Sequence, residues 1–259
     1  MIKWQDKWLL TFNIVDSKCK VMHIGKTNPG NSYNIDGIEL PQVEQEKDLG
    51  VLLSNTFTWD NHITNCIKKA NSCIAWIARS IISRNKDVML QLYKSMVRPH
   101  LEYCVQLWSP VAKHGNWQLI MSIENVQRRF TRLIDGVGLM TYEERLKKLG
   151  LTTLLERRAR GDLIETFRIV NGIANYGETL FNRSRSGARL VIRPGDGNPK
   201  KHDFLSRRVV GFWNKLPEHI KAAKTVDSFK NILEKFKATN YKSSGQYWEL
   251  SQDFFFQNK

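Results

Sequence analysis

From Asn61 onward the apolar residues recur every three or four positions, whereas before it they alternate or bunch. That change of period divides the chain into a short β-rich start and a long helical remainder. Ile63, Ile67, Ala70, Ile74, Ile77 and Ile81 predict an amphipathic helix over Asn61 to Ile82, with Lys68, Lys69 and Arg79 interspersed. Lys86 to Arg98 continues the pattern through Met89, Leu92, Tyr93, Met96 and Val97. Pro99 then interrupts the backbone ladder, so a kink or a new helix is expected there. Leu101 to Trp108 and Trp117 to Ile134 follow; Arg128, Arg129 and Arg132 are expected on the polar side of the second. Thr141 with Glu144 has the spacing of a capping box, opening a helix to Lys148 that Gly150 ends. A longer helix is expected from Thr153 to about Ala174, and a last one from Val226 to Ala238.

Ahead of the helices, Asp36-Gly37 within YNIDGIEL is a preferred two-residue hairpin loop, because a type I′ turn needs positive φ at both central residues. The turn sets Ile35 opposite Ile38 and Tyr33 opposite Leu40, all four on one face that should be buried. Trp8 to Val15, Lys20 to Ile24 and Asp48 to Leu53 read as further strands. Unpartnered, such strands would leave an exposed edge that invites aggregation. The stretch between Phe181 and Phe204 mixes Arg183, Arg185, Arg189, Arg193, Lys200 and Lys201 with Gly, Pro and Ser, and reads as a loop rather than a core element. Phe204 to Trp213 restores an apolar face, and the tail from Thr239 is expected to be loose. The fold class is therefore α+β, mostly α. Four stretches are expected: 1–58 with the hairpin, a helical 59–135, a basic helical 136–238 with its loop at 181–204, and the tail 239–259.

Forty Lys and Arg against 25 Asp and Glu give a net charge of +15, a balance that suits a polyanionic partner. From Arg128 to Arg160 nine cations face four carboxylates, and Phe181 to Arg208 is denser still. The chain has no secretory leader pattern and no apolar run long enough to cross a bilayer, so an intracellular protein of nucleus or cytoplasm, without a membrane partner, is expected. The four cysteines form no metal-binding spacing. Cys66 and Cys73, seven apart on one helical face, are expected as reduced core thiols, and His100 as a packing residue at the break made by Pro99. Phosphate-loop, dinucleotide, nucleophile-elbow and zinc-protease motifs are all absent, as are base-reading modules.

A series of blocks runs in order along the chain: KCKVMHIG ending at Gly25, the hairpin with KDLGV ending at Val51, and CIKKAN ending at Asn71. LYKSMVRPHLEYCVQLWSP (Leu92 to Pro110), IENVQRRFTRLI (Ile123 to Ile134), ERRARGDLIETFRIVNG (Glu156 to Gly172) and FLSRRVVGFWNKLPEHI (Phe204 to Ile220) follow. Together they resemble LINE-type (non-long-terminal-repeat, jockey-like) retrotransposon reverse transcriptases, in the region downstream of the catalytic Asp-Asp motif, up to about Phe236. The resemblance implies a palm edge with a primer-grip-like hairpin, a thumb, and a C-terminal region along the template–primer duplex. Lys18 and Lys20 then fall near the triphosphate side. Lys68, Lys69, Arg128, Arg129, Arg132, Arg157, Arg158, Arg160, Arg207 and Arg208 are the candidate nucleic-acid contacts.

A polymerase of this class needs paired acidic residues to hold two divalent ions, and no two aspartates are adjacent anywhere in this sequence. Asp36 is explained by its turn and Asp60 by a helix start. The expectation is a C-terminal fragment that grips an RNA/DNA or DNA duplex by its backbone and is catalytically inactive alone. It would bind no cofactor itself, Mg2+ being needed only in a full-length polymerase, and a separate catalytic half is a possible partner. The competing expectations are a helical protein-interaction module, with Trp108, Trp117 and Trp213 as interface or core aromatics, and a non-functional retroelement relic.

Overall fold

The computed structural model describes residues 2–10, 12–14, 18–25, 28–111, 116–174, 180–185, 189–192 and 204–244. The chain is α+β and mostly α, and it separates into two compact units, Met1–His62 and Ile63–Lys259. No helix among the described residues is long and apolar enough to cross a membrane.

The first unit opens with α1 (Ile2–Trp8) and carries two small antiparallel hairpins. In the first, β1 (Asn34–Ile35) pairs with β2 (Ile38–Glu39) around Asp36 and Gly37 at φ 52° and 78°, the left-handed pair that a type I′ turn requires. Ile35 lies opposite Ile38 as the turn dictates, and the Leu40 amide donates to the Tyr33 carbonyl at 2.8 Å. The four-residue apolar face does not bury as a whole. Ile35 and Leu40 are buried, while Ile38 and Tyr33 stay about half exposed, because two-residue strands twist strongly and opposite side chains diverge.

Asp48–Leu53 is not one strand. Asp48 ends β3 (Gln45–Asp48), Leu49 and Gly50 turn the chain at φ 43° and 90°, and β4 (Val51–Ser54) returns. The Leu52 amide, which points away from the β3 ladder, donates to His62 Nδ1 at 3.1 Å and so one donor of the strand edge is satisfied. The two other strands read from the sequence are also absent among the described residues: α1 ends at Trp8, residues 9, 10 and 12–14 are irregular, and Thr11 and Val15 lie outside the described residues. Lys20–Ile24 contributes only the single bridge Val21 to Gln42. Short apolar runs fit either element, and neither segment finds a ladder to join.

The second unit is helical. Helix α2 (Asp60–Ser80) buries Ile63, Ala70, Ile74 and Ile77 completely and Ile67 in part, and Ile81 just past its end is half-buried. Helix α3 (Lys86–Leu92) is capped by Asn85, whose side chain accepts from the Asp87 amide at 2.8 Å. Pro99 has no N–H to give, and the ladder widens to a π-helical turn at Tyr93–Val97 before Pro99 opens α4 (Pro99–Glu102); the Arg98 amide reaches Tyr93 O at 2.9 Å. His100 is exposed there, so it does not pack at the break. Cys104, exposed and left-handed at φ 50°, leads into α5 (Val105–Trp108), whose Trp108 is fully buried. Cys66 and Cys73 are free thiols but only half-buried, since they flank the buried stripe of α2 rather than lie on it; burial still pushes both thiols up.

Helix α6 (Trp117–Thr131), α7 (Tyr142–Leu149) and α8 (Leu154–Val170) follow. The capping box of α7 is complete, and Gly150 ends it at φ 64°. Past α8, β5 (Asn182–Arg183) pairs with β6 (Leu190–Val191), and then come α9 (Leu205–Arg208), α10 (Val210–Lys215), α11 (Glu218–Lys221) and α12 (Val226–Ser244).

The stretch from Phe181 is more than a loop: Phe181 and Leu190 enter a core with Phe167, Trp213, Ile220 and Phe229. Asn214 brackets Leu190, accepting its amide at 3.0 Å and donating to its carbonyl at 2.9 Å. Arg183, Arg185 and Arg189 stay exposed, whereas Arg193, Lys200 and Lys201 lie outside the described residues. Residues 239–244 of the tail expected to be loose continue α12, and residues 245–259 lie outside the described residues.

Candidate nucleic-acid interface

Between Asn61 and Lys86 the sequence holds five cations and no carboxylate. Helix α6 has one carboxylate, Glu124, and it points inward. Its oxygens accept the amides of Leu154 at 2.9 Å and Leu155 at 3.4 Å, at the first turn of α8, and also the Tyr142 hydroxyl. Gln127, one turn further along, accepts from the Tyr93 hydroxyl at 2.6 Å and donates to Tyr142 at 2.7 Å and to Thr152 O at 3.0 Å. Burial raises the Glu124 pKa, against the opposing pull of Tyr142, Arg158 and the two amides.

This buried network fixes the rotation of α6 and turns Arg129 and Arg132 to solvent. Arg129 approaches Asn71 of α2 to 3.5 Å, so the two helices meet along this side. On α2 the exposed positions Lys68, Lys69, Ser72, Trp76 and Arg79 share one face by their three- and four-residue spacing. The exposed cations of the two helices are Lys68, Lys69 and Arg79 on α2 and Arg129 and Arg132 at the end of α6; the exposed carboxylates flanking them along the chain are Asp60, Asp87 and Asp135. Beyond the end of α6, Lys86 Nζ donates to Lys148 O at 3.0 Å and Lys148 Nζ to Gly136 O at 2.9 Å, which draws two more cations to this corner.

Of the other nominated arginines, Arg128, Arg157, Arg160 and Arg208 are engaged within the fold. Arg128 is half-buried over the Tyr142 ring, 4.2 Å from its centre. Arg157 makes a forked pair with Glu102 at 2.5 and 3.2 Å, and Arg160 meets Glu234 at 2.5 Å. Both border a groove of about 340 Å³ with Lys94, Arg98, Lys237, Glu156 and Glu234, where the cations are largely matched by carboxylates. Arg208 is buried and doubly bonded to Asp162 at 2.7 Å, with further donation to the carbonyls of Gln106 and Val105. Arg158 is 2% exposed, and none of its three nitrogens has a hydrogen-bond partner; burial lowers its pKa, against the opposing pull of the Glu124 and Asp162 charges. Arg207 is half-buried. In the first unit, Lys20 pairs with Glu46 at 2.5 Å, and Lys18 is exposed.

No protein-family model and no solved structure matches the chain. Among curated proteins it is 26% identical over 200 residues to a probable RNA-directed DNA polymerase from transposon X-element of Drosophila melanogaster, covering 74% of this chain and 21% of that protein. It is 28% identical over 139 residues to the RNA-directed DNA polymerase from mobile element jockey of Drosophila funebris, and 27% identical over 131 residues to that of Drosophila melanogaster, covering half of this chain and 14% of each relative. Over these stretches the chain is similar to part of the RNA-directed DNA polymerases of mobile elements. It spans about a fifth or less of the length of the curated relatives it matches.

Given this similarity to polymerases, the placement of the acidic residues matters as much as that of the cations. Asp36 is taken up by its left-handed turn, Asp48 closes β3, and Asp60 starts α2. Among the described residues no three His, Cys, Asp or Glu side chains gather where a metal ion could sit. The sequence reading did not nominate Arg79, Lys86, Lys148 or Trp76; the run without carboxylates from Asn61 to Lys86 was the signal that would have found the α2 members.

Proposed function

We propose that this chain holds a template–primer duplex, RNA/DNA or DNA, by its phosphates along the α2–α6 surface, and that nucleotide transfer is left to another part of a longer polymerase. The observation that carries the reading is the pair of adjoining helices whose outward faces bear Lys68, Lys69, Arg79, Arg129 and Arg132 and, beyond the first turn of α2, no carboxylate. A solvated helix face would ordinarily mix both signs. A one-sign strip two helices wide favours a ligand with regularly repeated negative charge, and each phosphate neutralised releases counterions. The polymerase names of the relatives support the same reading. Arg157, Arg160 and Arg208, engaged with Glu102, Glu234 and Asp162, act in this scheme by holding the scaffold.

Duplex affinity of the purified chain, measured across salt concentrations, tests the proposal. With four phosphates contacted, affinity should fall about 10²-fold between roughly 50 and 200 mM salt. The Lys68→Ala/Lys69→Ala/Arg129→Ala/Arg132→Ala variant should bind far more weakly and with a shallower salt slope. Binding that ignores salt, or that survives the fourfold variant, overturns the reading; failure to bind any nucleic acid together with a stable oligomer in light scattering would favour an interaction module.

A further inference from the structure

Trp76 is 47% exposed on α2, whereas Trp108 and Trp213 lie in cores. The exposed indole stands two turns after Lys69, one turn after Ser72 and one turn before Arg79. Its surroundings along the chain are acid-free: no carboxylate occurs from Asn61 to Lys86. A large flat apolar surface whose charged neighbours along α2 are all positive is complementary to a ligand that offers a π-face and closely spaced negative charge together. A nucleic-acid strand with an unpaired base has that combination, while in a duplex the base faces are already stacked on one another.

We propose that Trp76 is a stacking platform for an unpaired base where a single strand extends from the duplex, with Lys69 and Arg79 taking the flanking phosphates. The inference rests on the duplex-holding reading of the α2–α6 surface and names a distinct ligand for its outer edge. Stacking tolerates any base, so the site would add affinity without adding sequence preference.

The full chain is titrated with a blunt duplex, with the same duplex carrying a short single-stranded extension, and with one whose extension is abasic. The wild-type chain should prefer the base-bearing extension over the blunt and abasic forms by roughly five- to 150-fold, the span of one base–aromatic stack. Trp76→Ala should abolish that preference and leave blunt-duplex binding unchanged, while Trp76→Phe should keep most of it. Equal affinity of wild type and Trp76→Ala for the extended duplex overturns the proposal. So does equal weakening of blunt and extended binding in the variant, or a change of oligomeric state, which would place a second protein surface on the indole. If wild type fails on the blunt duplex alone, the duplex reading falls; a base-dependent, Trp76-dependent affinity for the isolated single strand would still uphold the stacking site.

Discussion

Glu124 is the one carboxylate of α6, and burying it clears the outer face of that helix of negative charge. The cost of burial is offset by the Tyr142 hydroxyl and the Leu154 and Leu155 amides, with the Arg158 charge nearby. Burial pushes the Tyr142 phenol far up as well, so it remains a donor to Glu124 across the accessible pH range. A carboxylate whose folded pKa lies above its unfolded value binds its proton more tightly in the folded state. Its contribution to stability is therefore largest below about 4.5, the ordinary glutamate value, and shrinks as pH climbs towards the folded pKa. Glu124→Gln removes that titration. The urea midpoint of the variant relative to wild type should consequently rise with pH above about 4.5; a difference that stays constant with pH would contradict the assignment. The same burial logic separates the arginines. Arg132 is exposed to solvent, whereas Arg208, inside, is committed to Asp162 and two carbonyls.

At the level of elements, α7 is held at its start by a reciprocal cap. The Thr141 amide and hydroxyl both donate to Glu144 Oε2 at 2.8 Å, and Thr141 Oγ1 accepts from the Glu144 amide at 3.4 Å. Thr141→Ala should cost about 1 kcal/mol in urea unfolding, as removal of a threonine cap generally does. A loss under about 0.3 kcal/mol would mean that packing of Leu146 and Leu149, not the cap, sets this helix start. This cap, the Asp36-Gly37 turn, the break at Pro99 and the buried stripe of α2 were all legible in the sequence, because each is decided by neighbouring residues. Trp8–Val15 and Asp48–Leu53 were misread, because an apolar run does not say whether a ladder partner exists or where a left-handed turn will fall. Phe181 and Leu190 were hidden among arginines and glycines, and their burial is decided by α10, whose Asn214 lies 24 positions from Leu190. In the candidate site, counting cations found the basic helices but could not see that Arg208 would meet Asp162 across 46 positions.

At the scale of the whole molecule, the two units differ in what holds them. The first has hairpins of two- and four-residue strands, and its buried apolar side chains are few: Ile35, Leu40, Val51 and Trp59 among the described residues. Two-stranded hairpins are marginal without a larger apolar face beneath them. The second unit buries Phe130, Phe167, Phe229, Trp108 and Ile63, Ile74 and Ile77 of α2 completely, and ties α6, α7 and α8 by the Glu124–Gln127–Tyr142 network. Local opening free energy follows the density of buried apolar contacts. The boundary between the units lies at His62, inside α2, so opening of the first unit should fray only the first turn of that helix. Hydrogen exchange followed by mass spectrometry should then show two classes of amide. Those of the β1–β2 and β3–β4 hairpins should exchange early, and those of α6, α8 and the body of α2 late, at a rate set by global unfolding. Hairpin amides that persist as long as those of α6 and α8 would mean that the chain opens as a single cooperative body. In that case the contacts holding the hairpins would be worth more than their small buried surface suggests.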